Sequence, residues 1–454
     1  MNTDKIPSSK REHAPLEKGL DKLLSPFGVF FRSQASTGVL LLLAALLAMV
    51  MANSDYQRFY ESIGHLPLSV GLGDWQVKYS LHHWVNDGLM VIFFFILGLE
   101  IKRELLAGYL RQVRQSLLVL FMAAGGMVLP ALIYALCLRQ DAVALMGWGI
   151  PMATDTAFAL GALALLGARA PRSAAVMLSA LAIVDDIGAV LVISVFYTED
   201  ISWLYLARAA GVVGLLCLFN LLGMRRPIFY AVGGLVLWWC VHQSGVHATT
   251  AGILAAITVP ARPYAETGWF TRRMTMLLRR FQQLDHPDKS ILEEHRQHDL
   301  LEEVHQVAEQ TTTPLQHWGS VLDRPVSYAI VPLFAFLNAG VSLPNTLSAE
   351  TLSPVTWVTM LSLVVGKTLG IASFTWVALK FGWGALPKDM RFLQVVALGL
   401  LAGMGFTMSL FIGNLAFLEH PQVLVEAKLG ILAGSLLAGL LGSGLFLLAH
   451  RQAD

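Results

Sequence analysis

About twelve windows of roughly 20 apolar residues succeed one another along this chain, and that succession restricts the possible folds more than any other feature. They lie at 34–52, 81–101, 117–138, 143–166, 173–197, 204–222, 227–241, 245–260, 326–343, 355–379, 393–417 and 423–449. The hydrocarbon of a bilayer offers no partner to backbone N–H and C=O groups, so segments of this kind cross it as helices. The expected fold is therefore an all-α polytopic membrane protein with about 12 transmembrane helices. Among 454 residues, 55% are hydrophobic and 14% charged, which excludes an ordinary soluble domain. Cys137, Cys217 and Cys240 all fall in apolar windows and read as small hydrophobes, with no disulfide framework.

An even number of spans places both termini on one side, and the basic residues choose that side. Lys5, Lys10, Arg11, Lys18 and Lys22 precede the first window, and Lys102, Arg103, Arg111 and Arg114 follow the second. Arg169, Arg172, Arg225, Arg226, the stretch from Arg262 to Arg324, Lys380, Lys388 and Arg391 continue the alternation. Short loops obey the positive-inside rule, so both termini are expected in the cytoplasm, which for a bacterial chain means an inner-membrane protein. Five segments follow: a basic extension at 1–32, a first membrane part at 33–261, a cytoplasmic hydrophilic loop at 262–324, a second membrane part at 325–449 and a tail at 450–454. Residues 53–80 form an outer segment with room for a small hairpin, and Ser290 to Gln310 reads as a solvated helix.

Two windows are interrupted. The fourth contains Gly147, Gly149 and Pro151 just before Thr154 and Asp155, and the eleventh contains Gly399, Gly403 and Gly405 before Thr407 and Ser409. Non-helical backbone at membrane depth survives only where protein buries it or where it lines a cavity. The glycines of the eleventh window, taken alone, read as close helix packing. Paired with the fourth, they point to the binding site of a transporter built from inverted-topology repeats, with two interrupted helices crossing near the midplane. Asp155, beside exposed helix N-termini, would offset their positive dipole ends.

The ionisable residues at depth are Asp87, Asp155, Asp185, Asp186 and Lys367, with Glu100, Arg103 and Glu104 where the second window reaches the cytoplasm. Asp185 and Asp186 have no bland explanation, since a charge at membrane depth is costly and marks an ion or proton pathway. Asp87 and Glu100 could equally be interfacial residues reaching water. Carboxylates suit a small hard cation better than a soft metal. Desolvation favours the neutral form of any carboxylate, so such a group binds either a proton or a cation. That competition suffices for exchange. Adjacent helical residues point about 100° apart, so Asp185 and Asp186 are expected to divide the work, one binding the cation and the other exchanging protons against Lys367. His247 reads as a satisfied helix-end histidine, and His286, His295, His298, His305 and His317 fit no ligand spacing.

In order along the chain stand Val-Asn86-Asp87-Gly-Leu-Met, Gly98-Leu-Glu100-Ile-Lys102-Arg103-Glu104, Pro151-Met-Ala-Thr154-Asp155-Thr, Ile-Val-Asp185-Asp186-Ile-Gly, Ser-Gly-Val-His247-Ala-Thr, Pro332-Leu-Phe-Ala-Phe-Leu-Asn338-Ala-Gly, Gly366-Lys367 and Gly405-Phe-Thr407-Met-Ser409. From about residue 33 to 449 the chain resembles the NhaA-type sodium/proton antiporters. The resemblance implies Asp186 as principal cation ligand, Asp185 as partner of Lys367, Asp155 at the broken-helix crossing and Thr154 as a source of a ligand oxygen. It also implies a conduit or structural role for Asp87, a cytoplasmic access and pH-response cluster at Glu100, Arg103 and Glu104, and modulation of pH dependence by His247. Na+ or Li+ would leave the cytoplasm against a larger number of entering H+, electrogenically, by alternating access. The expected partners are those ions and membrane lipid, with a homodimer left open, no nucleic acid and no cofactor. Residues 1–32 and 262–320 depart from the family pattern as an extension and an insertion.

Other classes fit less well. An intramembrane aspartyl protease needs its two aspartates on different helices, neither Asp185 nor Asp186 stands in a Gly-x-Gly-Asp string, and no His-Glu-x-x-His string is present. In a cation channel, a lysine at the midplane would oppose the ion. A potassium- or calcium-preferring exchanger is the remaining alternative.

Overall fold

The computed structural model describes residues 34–72, 75–108, 113–198, 201–263, 267–283, 295–342 and 353–451. The chain is mostly helical. Helix α1 (Gln34–Ala52) is followed by α2 (Gln57–Gly64), bent from it by 119°. Strands β1 (Pro67–Leu72) and β2 (Trp75–Ser80) pair antiparallel, with Pro67 opposite Ser80. The all-α expectation is thus corrected: the segment at 53–80 holds a two-stranded hairpin, whose alternating Leu68, Val77 and Tyr79 favour the pleat.

Helix α3 (Leu81–Ala107) opens with Ser80 as its N-cap and contains a π-helical turn at Trp84–Leu89. Then come α4 (Val113–Cys137), the pair α5 (Ala142–Met152) and α6 (Thr156–Leu165), α7 (Arg172–Phe196), α8 (Trp203–Leu221), α9 (Pro227–His242) and α10 (Thr249–Thr258). Helices α11 (Thr267–Gln283) and α12 (His295–Thr311) pack side by side, burying Leu277 and Val307 and pairing Arg273 with Glu303. The last helices are α13 (Pro314–Ala339), α14 (Pro354–Lys380), the pair α15 (Phe392–Ala402) and α16 (Phe406–Ala416), and α17 (Pro421–Arg451).

Among the described residues, seven helices (α3, α4, α7, α8, α13, α14 and α17) are long and apolar enough to cross a membrane. Counting the bent pairs α1/α2, α5/α6 and α15/α16 as one span each raises the number to as many as ten. Helices α9 and α10 are apolar but shorter. Helix α13 begins well before its apolar window because Pro314 to Pro325 is amphipathic; a capping box between Thr313 and Gln316 starts it. The extension at 1–32 lies outside the described residues, as do residues 284–294 of the hydrophilic loop and all but the first two residues of the tail.

Small residues set the closest packing, as expected where lipid supplies no hydrophobic drive between helices. A side chain at Gly125 of α4 would strike the backbone of Gly370 on α14, and one at Gly370 would strike that of Gly125. Gly98 of α3 meets Ala256 of α10 in the same way, and Gly252 of α10 meets the Val91 carbonyl. Helix α7 packs on α4, α15 packs on both α7 and α14, and Gly403 and Gly405, between α15 and α16, lie against Leu363 of α14 and the Ala153 carbonyl after α5, so these elements meet around one point. At one end lies the β-hairpin, here the hairpin end; α11 and α12 lie at the other.

Candidate functional site

The two bent pairs break at the same depth. Met146–Met152 winds as a tighter 3-10 turn around Pro151, and the chain then runs extended through Ala153 to Asp155 before α6 begins. The bend is 48°. In the second pair the chain leaves α15 at Gly403 and enters α16 at Phe406, with a bend of 46°. The breaks are joined directly, since the Asp155 N–H donates to the Met404 carbonyl at 2.7 Å.

Four helix ends therefore converge: the N-termini of α6 and α16, which carry positive dipole ends, and the C-termini of α5 and α15, which carry negative ones. Asp155 serves both N-termini. Its Oδ1 accepts from the Phe158 N–H at 3.0 Å, and its Oδ2 accepts from the Thr407 N–H at 3.0 Å and the Thr407 hydroxyl at 2.5 Å. The C-termini meet donors instead. The Lys367 ammonium donates to the Met152 carbonyl that ends α5, and the Thr154 hydroxyl lies 2.9 Å from the Ala402 carbonyl that ends α15. Each exposed end of a broken helix thus faces a group of opposite polarity, which is how interrupted backbone is kept satisfied away from water.

Lys367 also pairs with Asp185 of α7, Nζ to Oδ2 at 2.9 Å, and both side chains are 0% exposed. Thr154 lies 2.8 Å from the same Oδ2. Asp186, one residue on, points elsewhere as helical geometry requires; its Oδ1, like Asp185 Oδ1, is buried with no hydrogen-bond partner among the described residues. An orphaned buried carboxylate oxygen is expensive unless a proton or cation satisfies it. Two such oxygens, one on the carboxylate paired with Lys367 and one on its neighbour within the lysine's electrostatic reach, can receive a small hard cation.

The remaining residues singled out from the sequence make none of these contacts, although the charge of Glu100 reaches Asp186. Asp87 sits at the hairpin end, paired with His83 at 3.2 Å, while the Trp238 indole donates to its backbone carbonyl at 2.8 Å. His247 contacts the Tyr197 carbonyl through Nε2 at 2.5 Å. Glu100, Arg103 and Glu104 lie at the opposite end, where Asp323 of α13 joins Arg103 and Glu104 in acting on Glu100. Lys102 caps α10, donating to the Ile257 and Val259 carbonyls at 2.5 Å each.

Several contributors were not foreseen. Thr407 stands in a recognisable string, yet its role against Asp155 depends on a partner 252 residues away. The Met152 and Ala402 carbonyls carry no sequence signal, because they matter only where a helix stops. Asn338 is a third: fully buried, it donates to the side-chain Oδ1 of Asn86 at 3.1 Å and accepts from the Asn414 side-chain amide at 2.6 Å, joining α3, α13 and α16.

The model of the family "Na+/H+ antiporter 1" matches residues 29–446. A protein of Pseudoalteromonas atlantica called Na(+)/H(+) antiporter NhaA 1 is 56% identical over 450 residues, covering 99% of this chain and 95% of its own. A protein of Saccharophagus degradans with the same name is 42% identical over 96% of this chain and 94% of its own. The Na(+)/H(+) antiporter NhaA of Koribacter versatilis is 45% identical over 93% and 91%. With a family match across most of its length and relatives this similar, the chain belongs to the Na+/H+ antiporter 1 family, a membrane transporter that exchanges sodium for protons.

Proposed function

We propose that exchange takes place at the crossing of α5/α6 with α15/α16, where Asp186 is the principal ligand for the cation, Asp185 and Thr154 contribute oxygens, and Lys367 carries a proton in competition with the cation. The observation that carries this reading is the buried Lys367–Asp185 pair beside two orphaned carboxylate oxygens. When a cation approaches, its charge competes with the lysine for Asp185. Lys367 then has less reason to keep its proton, and releasing it leaves the site with one positive charge instead of two. When the cation leaves, the amine takes up a proton and re-forms the pair. Asp155 neither moves nor titrates in this scheme; it holds the two N-termini in place.

Further parts of the reading extend it. Taking α9 and α10 as spans besides those above gives twelve, and the matching bends of α5/α6 and α15/α16 support inverted-topology repeats whose second copy is α14, α15/α16 and α17. Residues 33–261 and 325–449 then form the membrane part on either side of a cytoplasmic loop at 262–324, both termini lie in the cytoplasm, and the hairpin end faces outward from the bacterial inner membrane. Exchange is electrogenic and proceeds by alternating access, with Glu100, Arg103, Glu104 and His247 shaping its pH response and Asp87 a structural acid at the outer end. Moving one extra charge through the potential supplies about 2.3 kcal/mol per 100 mV. Li+ replaces Na+ as substrate, and the surrounding lipid and a second copy of the chain are its partners.

The test is dissipation of a pH gradient in proteoliposomes on adding sodium, lithium or potassium. Sodium and lithium should each discharge the gradient through the unmodified protein, and Asp186→Asn should abolish both responses. An Asp186→Asn variant that responds like the parent would remove the buried pair from the cation site.

A further inference from the structure

Two hydroxyls on α14 are buried close to this site without being used by it. Thr359 and Ser362 are both 0% exposed, and neither side-chain oxygen has a hydrogen-bond partner among the described residues. Thr359 lies beside the Tyr134 hydroxyl, whose one hydrogen goes to the Ala144 carbonyl at 3.1 Å; Thr359 can therefore only donate towards Tyr134, and its own lone pairs receive no hydrogen from it. An unpaired buried hydroxyl costs about 1–3 kcal/mol, a cost that Ala or Val at the same place would remove.

Their register relates them to Lys367. Residues Ser362–Gly366 form a π-helical turn, in which the Lys367 N–H donates to the Ser362 carbonyl. This wider turn stacks Ser362 directly one turn from Lys367, whereas ordinary α-helical spacing would rotate it to another face. Thr359 follows one turn further, and the Ser362 N–H donates back to the Thr359 carbonyl. The direction is set by the start of α14, which lies at the hairpin end next to the start of α17, where the Thr356 hydroxyl donates to the Glu426 carbonyl at 2.8 Å. The stripe therefore runs from Lys367 towards that end, between α4, which contributes Tyr134, and α17, whose Gly430 packs against Thr356 and Thr359. Buried polar groups of this kind are normally satisfied by ordered water.

We propose that Thr359 and Ser362 hold water between Tyr134 and Lys367, and that this line of hydroxyls and water carries the proton exchanged by Lys367. The inference rests on Lys367 being the proton carrier of the proposed function. A proton arriving from the hairpin end adds to the first water. Each hydroxyl accepts a hydrogen on a lone pair while passing its own to the next water, and the last water gives a proton to the neutral Lys367 amine. One proton enters, one reaches Nζ, and the resulting ammonium pairs with Asp185; no charge stays on a hydroxyl. Both residues act through Lys367 and are positioning residues for its proton, not ligands of the cation.

The experiment measures sodium-driven proton flux in proteoliposomes for Ser362→Ala, Thr359→Val and the double variant, with melting temperature in detergent as the second readout. The maximal rate should fall about a hundredfold, the lower end of a proton-transfer contribution, while the KM for sodium stays within about twofold and the melting temperature holds or rises. Thr359→Ser, which keeps the hydroxyl, should restore the rate. Variants that melt higher yet exchange at the parent rate would show that the hydroxyls are unsatisfied core groups and overturn the proposal. Lys367→Gln separates the two readings: if it exchanges normally, the carrier assignment fails and the relay with it. If Lys367→Gln is inactive while the hydroxyl variants are normal, the relay alone fails.

Discussion

The two broken spans bend by nearly the same angle, 48° and 46°, but they are made of different material. The first break carries its chemistry in side chains: Thr154 and Asp155 stand in the extended stretch, and both reach across the molecule. The second consists of Gly403, Met404 and Gly405 and contributes chiefly backbone, the Met404 carbonyl that accepts from Asp155 and the Ala402 carbonyl that faces Thr154. A crossing of this kind needs one partner that brings polar side chains and one that makes room for them. Two charged breaks would bring like charges together at low dielectric, and two bare ones would leave helix ends unpaired.

The largest effect expected from breaking this division is at Asp155. In Asp155→Ala, the Phe158 N–H, the Thr407 N–H and the Thr407 hydroxyl all lose their acceptor, and each buried orphan costs about 1–3 kcal/mol. Asp155→Asn keeps one acceptor oxygen, so it can serve the Phe158 N–H or the Thr407 pair but not both, and it gives up the charge facing the helix ends, about 1–2 kcal/mol, besides the one N–H left against its amide. Thermal unfolding in detergent should rank the parent above Asp155→Asn and Asp155→Ala far below both. If the two variants melt together, the carboxylate is not what holds the breaks against each other.

The next comparison sets glycine against glycine. An added methyl at Gly403 would press on the carbonyls of Leu363 and Leu400, which are backbone and cannot swing aside, whereas one at Gly149 would meet the Tyr197 hydroxyl and ring edge, which can. Gly403 has an ordinary φ of −68°, so room and not conformation is at stake. Gly403→Ala should cost about 1–3 kcal/mol through overpacking, and Gly149→Ala clearly less. Urea or guanidinium titrations giving the reverse order would mean that the second break tolerates side chains and that its glycines serve another purpose.

Much of this architecture is legible in the sequence because a bilayer leaves few choices. The windows at 34–52, 173–197 and 204–222 fall within a residue or so of α1, α7 and α8. Where the signal is weaker the reading slips: α13 begins at Pro314 because its first turns are amphipathic, and α10 is only ten residues long, Thr249–Thr258, between polar turns. The hairpin falls inside the outer segment at 53–80, where the sequence leaves room for one. At the crossing, residue type is legible, since a buried Asp, Lys or Thr is conspicuous among apolar neighbours. Which of them touch is not. Gly403 and Gly405, read alone, suggest packing, and Gly403 does pack on Leu363; that the same glycines also end a helix follows only from the four ends meeting there. Backbone acceptors such as Met152 and the π turn behind Ser362 leave no trace in residue type, because they depend on where hydrogen-bond ladders stop or slip.

The finest test concerns the two threonines, one at each break. Thr154 and Thr407 are both buried and both donate to a carboxylate through the hydroxyl, so removing either oxygen should cost a similar amount, about 1.5–3 kcal/mol for Thr154→Val and Thr407→Val alike. Their effects on exchange should differ. Thr154 shares Asp185 Oδ2 with Lys367, so Thr154→Val alters the group that cation and lysine contest in the proposed exchange and should raise the KM for sodium. Thr407 addresses Asp155, which already holds the Phe158 and Thr407 N–H groups, so Thr407→Val leaves that carboxylate with two donors and should change melting temperature while the KM stays put. Sodium titrations of the two variants in the same proteoliposome preparation decide the matter. A common rise in KM would mean that Asp155 takes part in ion binding and that the second break contributes more than backbone.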